Sequence, residues 1–172
     1  MAGRTLITRY MTADPLSKTE QRRLPFRPDC EEVDALYRSI NRNVFDNLLT
    51  QPDIELGVIQ KAWGLCHWED SLQRRGSHGK LGTWCRMRLS DKWYSPQWFC
   101  AILAHEMVHQ YQWDIHRWEH RYDFGCDPRS RYSGAHGPSF REWRGELARF
   151  GVPLKNSFGR RRWFRTQDLY LS

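Results

Sequence analysis

Three ionisable residues, His105, Glu106 and His109, lie close together in the sequence HEMVH, inside the largely apolar stretch PQWFCAILAHEMVHQYQ. In a helix, four residues advance about 6 Å and turn about 40° beyond one full turn, so His105 and His109 project from the same face. Their imidazole nitrogens can then bind one cation at about 2.0–2.1 Å. Glu106 is rotated by about 100° from His105, which suits a group that reaches a water on the metal.

This spacing is typical of zincins, in which two histidines bind zinc and the glutamate is the general base. Zinc lowers the pKa of its water towards about 7, and Glu106 can take the proton as the oxygen attacks a peptide carbonyl. The alternative is a pair of core histidines hydrogen-bonded to the backbone, with Glu106 at the surface. The apolar context favours a metal, because burying unpaired ionisable groups costs several kcal/mol.

A catalytic zinc needs a third protein ligand. The metzincin class would have Gly at 112 and His at 115; Gln112 and Ile115 exclude it. Glu142 and Glu146 downstream are candidates. His136, in GAHGPSF, is the better one, because it stands at a predicted helix start in a loop that can fold back.

Apolar spacing and caps predict the elements that position these side chains. Helices are predicted at 31–49, at about 96–112 after the Ser95 cap, and from Gly137-Pro138 to an end at Gly151 and Pro153. The apolar spacing of the first helix predicts a core face of Val33, Leu36, Tyr37, Ile40, Val44 and Leu48. Strands are predicted at 54–68 and 81–90, as an antiparallel pair. The fold class is therefore α+β, with a short antiparallel sheet packed on the helix that carries HExxH.

We predict three regions in the chain. Residues 1–29 form a basic, extended N-terminal arm with few core residues, residues 30–153 form the metallopeptidase domain, and residues 154–172 form a basic, aromatic tail. The first region lacks a signal-peptide core and no transmembrane run occurs, so we expect an intracellular protein, cytoplasmic or associated with nucleoid or nucleus, without a membrane partner. The five cysteines contain no C-x-x-C pair, which argues against a zinc ribbon.

The charge balance makes nucleic acid a candidate partner. The formal net charge is +7, and 22 of the 27 basic residues are arginines, whose guanidinium groups bind phosphate as planar forks. In the tail, basic side chains surround aromatic ones that can stack on unpaired bases, which favours single-stranded DNA. The candidate DNA-binding residues are Arg160, Arg161, Arg162, Trp163 and Arg165. The alternative is a tail whose aromatic residues pack on the core.

Two further sequence features contain candidate metal-binding residues. The segment HRWEH, at 116–120, fits the inverted H-x-x-E-H pattern, but its polar surroundings favour a solvated segment. Cys126 could occupy the open position of the zinc as a thiolate, although lone cysteines are usually inert.

The combination of HEMVHQ with the later HGPSF, together with YRSINRNVFDNLL and LGTWCRMRLSDKW, resembles the SprT-like zinc metallopeptidases, the family of Spartan. The resemblance covers roughly residues 33–150 and implies a zincin-like fold. It implies one Zn²⁺ bound by His105, His109 and His136, with Glu106 as the catalytic base. It also makes the strand near 81–89 the sheet edge along which a substrate chain lies.

The chain departs from the family in two respects: residues 114–135 form a long insertion, and the C-terminal zinc ribbon of many relatives is missing. We therefore predict a zinc-dependent endopeptidase of SprT type that acts on protein substrates and could engage DNA-associated proteins. The alternative is a basic nucleic-acid-binding protein with a structural zinc and no protease activity.

Overall fold

A computed structural model describes residues 5–13, 25–59, 62–69, 84–115 and 136–156. These residues form a mixed α+β fold, so the predicted class is confirmed. The elements follow the order α1 (Leu6–Met11), α2 (Cys30–Val44), β1 (Asp53–Gly57), β2 (Gly64–Glu69), β3 (Trp84–Ser90), α3 (Pro96–Asp114), α4 (Pro138–Arg141) and α5 (Trp143–Ala148). Every helix in the described ranges is too short or too polar to cross a bilayer.

The helix that carries HExxH, α3, begins as predicted. Ser95 is its N-cap and accepts a hydrogen bond from the backbone N–H of Trp98, and Pro96 occupies the first turn. The helix continues to Asp114, two residues beyond the predicted end. It packs against β2, α1 and α2 and is buried on almost all sides, as expected for a helix that runs through a core.

The sheet differs from the prediction. Its strand order is β1-β3-β2, with β1 parallel and β2 antiparallel to β3. The antiparallel pairing of β2 with β3 was predicted, but the single strand at 54–68 is wrong, because this segment forms β1 and β2 on opposite sides of β3. The carbonyls of Gly57 and Trp63 accept hydrogen bonds from the N–H groups of Asp91 and Ser90, so the chain crosses at the end of β3.

The position of β3 overturns a second prediction. Because β3 lies between β1 and β2, the strand near 81–89 is not the edge on which a substrate chain can be added. Its backbone hydrogen-bonding groups are used on both sides. Within the described part of the chain, the outer strands are β1 and β2.

Helix α2 has the predicted core face but ends earlier than predicted. Asp29 and Glu32 form a reciprocal capping box at its start. The helix ends at Val44 because Asp46 and Asn47 adopt positive φ angles of 52° and 59°, which Asp and Asn tolerate better than most residues. Leu48, predicted on the core face, is therefore 52% exposed.

The two ends of the described fold also differ from expectation. Residues Leu6–Met11 form a helix with Ile7 and Met11 in the core, so the extended arm is wrong for these residues. The helix predicted after Gly137-Pro138 consists of two short helices, α4 and α5, separated at Glu142. Gly151, with φ of 75°, ends this segment as predicted.

Candidate metal centre

Three histidine side chains converge on one point. The Nε2 atom of His109 lies 3.1 Å from Nε2 of His105 and 3.2 Å from Nε2 of His136, and the latter two atoms are also 3.2 Å apart. These three residues are the group that could hold a metal ion in the described part of the chain. The third candidate ligand, 27 residues after His109, is thus brought to the pair on the helix.

Two elements and one aromatic side chain position the rings. His105 and His109 lie one turn apart on α3, and His136 directly precedes Gly137, the N-cap of α4. Phe140 of α4 is fully buried, and its ring centroid lies 4.9, 5.0 and 4.6 Å from those of His105, His109 and His136. The Phe140 ring therefore packs against all three imidazoles.

The hydrogen bonds made by Nδ1 of His105 and of His109 fix the tautomer of each ring, and so decide that Nε2 faces the centre with a lone pair. Nδ1 of His105 lies 2.9 Å from the carbonyl oxygen of Lys155, which can only accept, so Nδ1 carries the proton. Nδ1 of His109 lies 2.9 Å from Oε1 of Gln112, with the same consequence. Each neutral ring then directs the lone pair of Nε2 to the centre.

This arrangement fits a bound cation. Facing lone pairs at 3.1 Å repel each other unless a proton or a metal lies between them. A tetrahedral zinc with nitrogens at about 2.0–2.1 Å would separate these nitrogens by about 3.3–3.4 Å, close to the observed spacing. Burial also lowers the pKa of all three histidines, to about 4 for His109, so the rings are neutral at pH 7 and ready to bind.

Glu106 lies against the sheet beside this centre. It is 6% exposed, and the backbone N–H of Cys66 in β2 donates a hydrogen bond to its carboxylate. Burial raises the pKa of Glu106 from 4.5 to about 8, which that hydrogen bond only partly offsets. A carboxyl group with a pKa near neutrality can both accept and return a proton, as a general acid and base must. The alternative that placed Glu106 at the surface is wrong.

Gly64 of β2 makes this position of Glu106 possible. A Cβ atom at residue 64 would lie 2.8 Å from both Cγ and Oε1 of Glu106 and 3.0 Å from its Cδ. These distances are shorter than any ordinary contact, so the carboxylate occupies the space that a larger residue would fill. Gly64 was not among the residues predicted to serve the site.

The remaining sequence candidates have different outcomes. Glu142 and Glu146 are exposed and are not part of the histidine cluster. The segment 116–120, Cys126 and the tail residues 160–165 lie outside the described residues, so their roles stay predictions. Sequence reasoning missed Gln112, Ser139 and the Lys155 carbonyl as partners of the site. The sequence contains a signal for Gln112, since it is a polar residue on an apolar helix, three residues after His109. It contains none for a backbone carbonyl, because every residue has one.

Comparison with known families agrees with this geometry. The sequence model of the SprT-like family matches residues 33–157, which is most of the chain and includes all three histidines and Glu106. The chain belongs to the SprT-like family. No curated protein and no solved structure shows significant similarity to it. The resemblance predicted from HEMVHQ and HGPSF is therefore confirmed, and the match extends slightly beyond the expected range.

Proposed function

We propose that this SprT-like protein is a zinc-dependent endopeptidase with a zincin-like active site. The observation that carries the proposal is the convergence of three Nε2 atoms within 3.2 Å, next to a buried glutamate. Structural zinc sites usually have four protein ligands, whereas catalytic sites have three and keep one position open. In the described ranges the cluster has three ligands, which favours the catalytic class.

His105, His109 and His136 would hold the metal, and the side chain of Glu106 would move the proton. A zinc ion held there would act as a Lewis acid, which would polarise a peptide carbonyl and make water a nucleophile near neutral pH. Glu106 takes a proton from the attacking water and then donates it to the leaving nitrogen.

The outer edge of β2 is the surface that we propose for the peptide substrate. The N–H of Cys66 reaches Glu106, so the β2 backbone runs directly beside the general base. Because the N–H of Cys66 is already bound to Glu106, an extended peptide would pair with the other backbone groups on the outer edge of β2 and bring its carbonyl groups past the same carboxylate. This assignment replaces the strand near 81–89, which is interior.

The experiment that tests the proposal compares zinc-loaded wild-type protein with Glu106→Gln on an unfolded protein substrate. Loss of the general base should reduce cleavage by about 10²–10⁴-fold, while both proteins retain zinc. Equal cleavage by the two proteins would refute the role of Glu106. No cleavage by the wild type, with or without single-stranded DNA, would favour the nucleic-acid-binding alternative.

The proposed partner class is DNA-associated protein, on the basis of the net charge of +7 and the arginine-rich tail. We expect single-stranded DNA binding that weakens steeply with salt, because arginines that neutralise phosphates release counterions. Replacing Arg160, Arg161 and Arg162 by Ala should weaken this binding and reduce its salt dependence. Unchanged binding would remove the tail from the proposal.

A further inference from the structure

A chain of hydrogen bonds joins His109 to the segment that carries His136. Gln112 is 2% exposed and lies three residues after His109 on α3. Its Oε1 accepts from Nδ1 of His109 at 2.9 Å, and its Nε2 donates to Oγ of Ser139 at 2.9 Å. Ser139 lies in α4, three residues after His136 and directly before Phe140.

We propose that Gln112 and Ser139 are positioning residues for the metal centre. Gln112 holds the His109 ring with Nε2 towards the other two histidines, and through Ser139 it ties the His136 segment to α3. The inference rests on the proposed metal site but not on peptide hydrolysis, because its effect is on metal affinity.

The two helical histidines differ in what orients them. Nδ1 of His105 donates to the backbone carbonyl of Lys155, and this acceptor does not depend on which side chain residue 155 carries. Nδ1 of His109 depends on a side chain, and that side chain is held by a second one. Partners of this kind fix the tautomer and the direction of a metal-binding imidazole, and their loss typically weakens metal binding about 10–100-fold.

The same helix supplies a matched control. Gln110 is also fully buried on α3, but its hydrogen bonds go to Tyr37, Asp114 and the carbonyl of Thr50. Replacing either glutamine by Met exchanges a buried amide side chain of this helix for an apolar side chain of similar size. Only the replacement at 112 removes a partner of a metal-binding ring.

The test measures the affinity for Zn²⁺ by competition with a chromophoric chelator at constant pH. We expect Gln112→Met to bind zinc about 10–100-fold more weakly than the wild type. Gln110→Met should stay within about threefold of the wild type, since it touches none of the three rings. Gln112→Glu should retain affinity, because a carboxylate still accepts from Nδ1.

Ser139→Ala is a milder second variant, because it removes a single hydroxyl. It tests the inference even if the Gln112 variants fail to fold. Losing one hydrogen bond should weaken zinc binding about 2–10-fold. When Co²⁺ replaces Zn²⁺ at the site, the visible spectrum of Gln112→Met should differ from that of the wild type, and the spectrum of Gln110→Met should not.

The outcomes separate this inference from the proposed metal site. Wild-type protein that takes up no zinc would refute the metal site, and the inference with it. Normal uptake by the wild type, combined with unchanged affinity in both Gln112→Met and Ser139→Ala, would refute the inference alone. Equal losses in the variants at 110 and 112 would also refute it, because the effect would then be one of general stability.

Discussion

Replacing Gly64 by Ala tests whether β2 fixes the position of Glu106, the proposed general base. The added Cβ would lie 2.8 Å from Cγ and Oε1 of Glu106, whereas ordinary contacts begin at 3.4 Å. The carboxylate must therefore move by roughly half an ångström or more, in a buried site. Overpacking by one such group typically costs about 1–3 kcal/mol.

A double-mutant cycle with Glu106→Ala isolates this clash. The Gly64→Ala change should destabilise the protein when Glu106 is present and should not when Glu106 is truncated, so we expect a coupling energy of about 1–3 kcal/mol. The assay is urea unfolding of the metal-free protein at constant pH. Gly57→Ala is the matched control, because Gly57 also lies in a strand and a Cβ there meets nothing within 4 Å.

The same variant distinguishes an effect on the position of Glu106 from an effect on zinc binding. Gly64→Ala should bind zinc as the wild type does but cleave substrate more slowly, because a displacement of about 1 Å at a reacting group can cost about 10²-fold in rate. Additive stability effects at 64 and 106, or full activity of Gly64→Ala, would show that the close contact does not position the carboxylate.

Two further predictions concern the buried groups around the centre. In metal-free protein the folded-state pKa of Glu106 is about 8 against 4.5 unfolded, so the native state binds more protons and its stability falls as pH rises through this interval. Glu106→Gln should remove that loss, with a stability gain over the wild type that grows on the order of a few kcal/mol between pH 5 and 8; a gain independent of pH in urea unfolding would contradict the assignment. Phe140→Ala should destabilise the protein by about 3–5 kcal/mol and weaken zinc binding, because the ring packs against all three histidines. Zinc affinity equal to that of the wild type in folded Phe140→Leu would show that the ring does not support the imidazoles.

The pairing of two of the three histidines could be predicted from sequence because they are close together in the chain. His105 and His109 share a helix face through their spacing alone, and Ser95 with Pro96 marks where that helix begins. His136 could be proposed only as one of three candidates, since it lies 27 residues after His109, beyond the reach of helical spacing. Its place at a predicted helix start favoured it over Glu142 and Glu146, and the family resemblance then implied it as the third ligand.

The sheet order and the end of α2 could not be predicted in the same way. An apolar run at 54–68 predicts strand, but only the hydrogen bonds of Gly57 and Trp63 with the end of β3 divide it in two. The apolar spacing of α2 continues to Leu48, but the chain turns earlier, where the Asn41 side chain bonds both the N–H and the carbonyl of Leu49. Tertiary and side-chain hydrogen bonds decide these features, and hydrophobic periodicity does not report them.

The most direct test of the central claim is the zinc K-edge X-ray absorption spectrum of the purified, zinc-loaded protein. We predict one zinc per chain, with three imidazole nitrogens and one further light atom at about 2.0–2.1 Å, and loss of one imidazole in His136→Ala. Fewer than three imidazole nitrogens at this distance in the wild type, or a spectrum unchanged by the replacement of His136, would contradict a metal centre formed by these three histidines.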